Sequence, residues 1–326
     1  MITWGAVGNS HDASLAIFKN DNLMWAALAK DFSNTPNDPH LNHSIISVAL
    51  EMYGHPDKIH WYERPLLKTI RQWSAGQGWL LKENNIRDYF HKRHVMFTPI
   101  KYTSHHHSHA AYAYYTQRHS DCAVLCLDSI GEFECLTIWH GNNGKLRKKH
   151  TQTYPNSLGL FYSAITQRVG LVPQRDEHLI MEYAAKGDRN RLFGEIIREL
   201  VDLSDVPNIR MRENFHRGCL WWRPELTSQQ DMYDIAAATQ YVFEACVGML
   251  TRWARRITGA NHLAITGGGA LNKGAVDRIR PDWDSVWVPH NPGDPGSCIG
   301  AVLAQTKKFT SLDDKWHNVI CTKENE

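Results

Sequence analysis

Two stretches of this chain repeat one another. Ser14-Leu15-Ala16-Ile17-Phe18-Lys19-Asn20-Asp21-Asn22 and Cys135-Leu136-Thr137-Ile138-Trp139-His140-Gly141-Asn142-Asn143 carry apolar residues in the same register into the same kind of polar turn. Each follows a strand-like run and a polar loop, at 9–12 in the first copy and 128–132 in the second. Such an echo predicts a duplicated fold in which two related lobes face each other across a cleft. Chance similarity of two hairpins is the competing reading.

The rest of the pattern fits around the two copies. Strands are predicted at 2–8, 14–18 and 23–29, a helix at 40–53 and a strand at 57–62. A helical pattern over 66–93 breaks at Gly76-Gln77-Gly78, and a strand from Val95 to Lys101 closes the first lobe near residue 118. After the second meander come helices at 157–169, 176–186 and 189–201, an irregular or β excursion at 205–226, and a long helix at 228–257. An α/β pattern follows: strand 262–266, a glycine turn, helix 270–280, strand 285–288 and helix 297–307. The domains read as an N-terminal lobe, 1–118, and a C-terminal lobe, 119–326, with a helical and β insertion at about 155–257.

Composition excludes several classes. No segment approaches the roughly 18 uninterrupted apolar residues of a membrane span, and Met1-Ile2-Thr3-Trp4 runs into a strand without a basic leader. The 7 cysteines are odd in number and scattered, which favours free thiols and a cytoplasmic location. A net charge of +2 does not by itself identify a nucleic-acid partner.

Four imidazoles stand in the run Ser104-His105-His106-His107-Ser108-His109, and the alanines behind them favour helix. His105 and His109 then share one face, a metal-ligand spacing that a carboxylate from elsewhere would complete. His106 and His107 point elsewhere and can serve as outer or substrate donors. A solvated helix start or an accidental zinc site is the plainer reading. Asp294, between Gly293 and Gly296, is a candidate carboxylate ligand or a helix cap. Gly267, Gly268, Gly269 and Asn272 lie between a strand and a helix, where backbone N–H groups suit a phosphate, or where glycine merely packs a helix on a sheet. Asp128 and Glu132 can cap their turn or aim carboxylates into the cleft.

In order and wording these segments resemble the catalytic domain of the O-carbamoyltransferases that decorate antibiotics and nodulation factors, relatives of the tRNA threonylcarbamoyl-transfer enzymes and the hydrogenase-maturation carbamoyltransferase. The resemblance is carried by His11-Asp12-Ala13-Ser14, the run at 105–110, Asp128-Ser129-Ile130-Gly131-Glu132, Ser157-Leu158-Gly159-Leu160-Phe161-Tyr162, Asp176-Glu177 with Met181, Gly267-Gly268-Gly269-Ala270-Leu271-Asn272, and Gly293-Asp294-Pro295-Gly296 with Gly300-Ala301. It implies a duplicated actin-like, ribonuclease-H-like α/β (ASKHA) fold. It implies a metal, Fe²⁺ or another divalent ion, on His105, His109 and Asp294, and a nucleotide, ATP or AMP, at Gly267–Gly269 and Asn272. His11, Asp12, Asp128, Glu132 and His106 become the catalytic candidates.

Departures accompany it. The family's Glu-Glu-Arg stretch leading to a lysine is replaced by Ala29-Lys30-Asp31-Phe32 with no further lysine until Lys58; Leu179 stands for another lysine and Glu182 for a glycine. The adenylate-forming second domain of relatives is expected to be absent, so carbamoyl phosphate would serve directly, a separate protein would supply carbamoyl-adenylate, or this domain would make it unaided. The acceptor is a hydroxyl. Basic and aromatic residues at 145–150, 210–223 and 252–256 suggest a hydroxymethylated base in DNA or its nucleotide, against a small sugar or antibiotic-like hydroxyl. Trp221, Trp222 and Trp253 can equally be core or homodimer residues. A nucleotide-binding partner module or an ATPase of the same fold is the competing class.

Overall fold

The computed structural model describes residues 1–317 apart from His11 and Met96. The chain divides into two compact units: Met1–Arg118 together with the stretch from Pro289 onward, and His119–Val288.

The first unit is built on β1 (Ile2–Val7), β2 (Ser14–Lys19), β3 (Asn22–Leu28), β4 (Lys58–Trp61) and β5 (Ile100–Tyr102), ordered β3-β2-β1-β4-β5. The first three form an antiparallel meander, while β4 and β5 run parallel to β1. β1 reads ITWGAV and is buried along almost its whole length, as a central strand covered on both faces must be.

The second unit repeats the scheme. Its strands β6 (Asp121–Gly131), β7 (Glu134–Asn142), β8 (Lys145–Thr153), β11 (His262–Thr266) and β12 (Ser285–Trp287) are ordered β8-β7-β6-β11-β12, with β9 (Val201–Asp202) and β10 (Arg210–Met211) a separate pair. The meander is again antiparallel and the last two strands again parallel to the first. Thus β2 and β7, the two copies of the repeated stretch, hold the same place in matching sheets. β8 is an edge strand rich in lysine, a composition that discourages pairing with another chain.

Between β8 and β11 the long helix Gln229–Thr258 starts in a capping box of Ser228 and Asp231 and stops at Gly259 in the left-handed conformation. Its apolar face packs into a core with Phe161, Ile165, Ile235, Phe243 and Leu250. Among the described residues no helix is long and apolar enough to cross a membrane.

Three expectations are corrected. The C-terminal lobe does not run from 119 to the end, because helix Ser297–Thr306 packs on β1 and on helix His105–Tyr115 and so joins the first unit. The helix expected at 270–280 is a short 3₁₀ turn, Gly268–Leu271, followed by helix Lys273–Ile279, because Asn272 leaves the helical conformation to cap the second segment. The strand expected from Val95 shrinks to Ile100–Tyr102.

Candidate metal centre and active site

The histidine run forms helix His105–Tyr115. One turn brings His105 Nε2 and His109 Nε2 to 3.1 Å, with both rings buried. Asp294 Oδ1 stands 3.3 Å from the first and 3.4 Å from the second. Nitrogen and oxygen ligands held at about 2.1 Å from one ion lie roughly 3.0 Å apart in octahedral and roughly 3.4 Å apart in tetrahedral geometry. The three atoms therefore fit a single divalent cation. Two imidazoles and one carboxylate on one side of an ion form the set that suits Fe²⁺ with open positions. All three side chains belong to the first unit, since the return of the chain at Pro289 carries Asp294 there.

Asp294 opens the 3₁₀ turn Asp294–Gly296. Ser10 Oγ donates to its Oδ2 at 2.5 Å, Ser14 Oγ donates to the Pro295 carbonyl at 2.7 Å, and Tyr112 donates its hydroxyl to the His290 carbonyl. The following helix can approach the histidine helix only because residue 300 is glycine: a Cβ there would lie 1.9 Å from the Ser108 carbonyl oxygen.

Sequence reasoning missed the polar residues behind this triangle. Tyr62 lies against His105 with ring centroids 5.3 Å apart. Burial pushes its phenol well above the ordinary tyrosine range, and the carboxylates of Glu63 and Asp294 add to the shift. Glu63 and Lys68 form a buried ion pair at 2.6 Å. Five residues apart across a helix start, they carry no recognisable spacing signal. Lys30 was missed as well. Its Nζ is 2.9 Å from Asp12 Oδ2, so the turn keeps a cation despite the altered stretch. His106 is fully buried, its ring 5.8 Å from that of His105 and 6.1 Å from that of His109. His11 lies outside the described residues.

In the second unit, residues 128–130 leave the β6–β7 ladder, and Glu132 is a buried left-handed residue in the turn that follows. Asp128 Oδ1 accepts the Gly268 N–H at 3.3 Å. The glycine turn packs on β6: a Cβ at Gly267 would lie 2.3 Å from the Leu127 carbonyl oxygen, and one at Gly269 would lie 2.7 Å from the Leu127 side chain. At Gly268 a Cβ would meet, among the described residues, only the Asp128 carboxylate, at 3.3 Å. Asn272 is buried, caps Ala275 N–H at 3.0 Å and exchanges two hydrogen bonds with Gln240 at 2.8 and 2.9 Å. Both ends of its amide are thus engaged within the protein.

The basic segments also separate. In the 205–226 excursion Arg210 pairs with Asp205, Arg212 with Asp202 and Arg223 with Glu199. Trp222 is core, donating its indole N–H to Glu199 at 3.0 Å. On β8, by contrast, Lys145, Arg147 and Lys149 are exposed, and the His150 ring lies 5.2 Å from that of Trp253, next to exposed Arg256 and to Arg252, which pairs with Asp282 at 3.7 Å. The six described cysteines are free and buried.

The strand order, repeated in both units, is that of the actin-like proteins. The activator of the 2-hydroxyisocaproyl-CoA dehydratase from Clostridium difficile, solved with bound ADPNP, superposes with a TM-score of 0.50 at 12% identity over 93% of this chain and 94% of its own. Component A of the Acidaminococcus fermentans (R)-2-hydroxyglutaryl-CoA dehydratase does so at 0.50 and 11% identity over 94% of this chain and 99% of its own. At these identities the likeness establishes the fold alone: a duplicated actin-like α/β protein. Within that class the chain belongs to the carbamoyltransferase family, whose N-terminal domain model matches residues 61–303.

An uncharacterized protein of Synechocystis is 26% identical over 90% of this chain and 55% of its own length. Nodulation protein NolO of Bradyrhizobium diazoefficiens is 26% identical over 61% of this chain and 37% of its own. The chain thus spans about half the length, or less, of these relatives.

Proposed function

We propose that this protein transfers a carbamoyl group from carbamoyl phosphate to an acceptor hydroxyl, either directly or by way of carbamoyl-adenylate. The observation that carries the reading is the triangle of His105, His109 and Asp294 in a chain of the carbamoyltransferase family. A divalent ion held there, Fe²⁺ on this reading, would supply Lewis acidity toward a phosphate or carbamoyl oxygen of the donor. Ser10 ties off Asp294 Oδ2 and leaves Oδ1 toward the imidazoles. The acceptor oxygen attacks the carbamoyl carbon, the bond from that carbon to the phosphate oxygen breaks, and phosphate leaves. On this reading Asp12, paired with Lys30, takes the acceptor proton. For the adenylate route, ATP or AMP would be held at the glycine turn by displacing Asp128 from the Gly268 N–H, and a separate protein is a further source of the adenylate.

The test is purified protein with Fe²⁺, carbamoyl phosphate and a panel of hydroxyl acceptors, with and without ATP. Carbamoylated product matched by phosphate release is expected. Nucleotide binding or phosphate release with no carbamoylated product would leave the partner module or the ATPase as the better reading.

For the acceptor, the exposed cations of β8 with Arg256 favour a hydroxymethylated base in DNA or its nucleotide. Three of the four arginines of 205–226 are paired with carboxylates and only exposed Arg217 carries no such pair among the described residues, which leaves a small sugar or antibiotic-like hydroxyl as the second reading. Duplex binding that falls steeply with salt, and falls further in Lys145→Ala/Lys149→Ala, supports DNA; salt-independent transfer to a small hydroxyl supports the sugar.

A further inference from the structure

The polar residues behind the triangle form a closed circuit. Starting at Asp294, Oδ2 accepts from Ser10 Oγ at 2.5 Å. Ser10, its one proton committed to Asp294, lies against the Tyr62 hydroxyl, which also faces Glu63 and has a single proton to donate to one or the other. Glu63 Oε1 is 2.6 Å from Lys68 Nζ, which also donates to the Asn9 carbonyl at 3.1 Å. Asn9 is bonded covalently to Ser10, so the circuit returns to its start. It also has a branch: Glu63 Oε2 faces His105 Nδ1 at 4.0 Å, the nitrogen on the far side of the ring from Asp294.

Nothing in the packing of the unit requires charges here. Glu63 and Lys68 are each buried, and burying an ion pair is costly where a well-packed apolar pair would serve the fold as well or better. What the circuit does is local. One end fixes which oxygen of Asp294 turns toward the imidazoles, and the branch places a negative charge behind an imidazole, on the side where metal-ligating histidines find the carboxylate that orients them.

We infer that Ser10, Tyr62, Glu63 and Lys68 are positioning residues that hold His105 and Asp294 in the geometry required to bind a divalent cation. This rests on the metal reading of the triangle but not on the transfer reaction. The Glu63 carboxylate, 4.0 Å from His105 Nδ1 and so beyond direct hydrogen-bond reach, favours a proton on that nitrogen through its charge and leaves Nε2 to ligate. Tyr62 and Ser10 transmit the same anchor to Asp294. Lys68 neutralises Glu63 and pins the Asn9 carbonyl, which keeps the Ser10 side of the circuit from drifting.

The test uses the full chain, stripped of metal with chelator and titrated with Co²⁺ against a chromogenic competitor, reading the Kd and the d–d absorption band. Wild type is expected to take up one equivalent and His109→Ala none. Tyr62→Phe and Glu63→Gln are expected to weaken binding about 10–100-fold and to shift the Co²⁺ band, with Lys68→Met weakening it in the same direction. Tyr62→Phe keeps the ring and its packing, so it should melt like wild type without metal and decides the matter if Glu63→Gln folds poorly. Affinities for Tyr62→Phe and Glu63→Gln within about two-fold of wild type, with His109→Ala inert, would overturn the positioning role while leaving the metal site standing. A wild-type chain that takes up no Co²⁺ would overturn both. Because carbamoyl transfer is not the readout, failure of the proposed reaction does not affect the result.

Discussion

Ser108 turns its backbone carbonyl toward Gly300 so closely that a Cβ on residue 300 would lie 1.9 Å from the oxygen. Alanine at 300 must therefore push helix Ser297–Thr306 away from helix His105–Tyr115, and with it the turn bearing Asp294. Overpacking of this kind costs about 1–3 kcal/mol. Gly300→Ala should lower the urea midpoint at unchanged m-value and also weaken Co²⁺ uptake, a double effect that distinguishes it from a destabilising change elsewhere.

Asp294→Asn keeps the shape of the side chain and the Ser10 contact but removes the anionic ligand. Metal uptake and any transfer activity should fall by at least about 100-fold, while the metal-free melting temperature stays close to that of wild type. Equilibrium dialysis followed by elemental analysis for iron checks the first point, and calorimetry of the stripped protein the second.

Asn272 is engaged by its own protein, capping Ala275 and bonded to Gln240. Asn272→Ala removes the cap and two of the four hydrogen bonds of Gln240, which keeps Tyr162 and Glu244, a loss of about 1–3 kcal/mol. The signature expected is lower stability of the second unit in urea, with the nucleotide affinity of the still-folded protein little changed.

His60 is buried, and neither ring nitrogen has a hydrogen-bond partner among the described residues. Burial lowers its pKa from 6.5 to about 4, with Lys58 and Lys101 adding to the effect. The unfolded chain therefore takes up this proton first as pH falls. Stability is undiminished above about 6.5 and is lost progressively as pH falls toward about 4, a total of about 3 kcal/mol. Urea midpoints measured from pH 7 to 4.5 should show this slope in wild type and a flatter one in His60→Leu. Equal slopes would remove His60 as the cause.

Much of the molecule was legible from local pattern. The echo between residues 14–22 and 135–143 announced two matching sheets because side-chain alternation and turn chemistry are local and survive duplication. His105 and His109 were legible for the same reason, since helical geometry alone places residues four apart on one face. The glycine turn was legible as a turn. Its reading as a ligand cradle was weaker, because the contacts of Gly267 and Gly269 with Leu127 belong to another strand.

The sequence by itself thus determined the repeated architecture, the imidazole pair and the resemblance to carbamoyltransferases. Only the tertiary structure decided that residues from Pro289 onward return to the first unit and deliver Asp294 to the histidines. It alone revealed that Glu63, Lys68, Tyr62 and Ser10 are one circuit and that Lys30 answers Asp12. The physical reason is distance along the chain. Ser10 and Asp294 are 284 residues apart in sequence and 2.5 Å apart in space, and no periodicity encodes a contact of that kind; it follows only from how the sheet and the two helices pack.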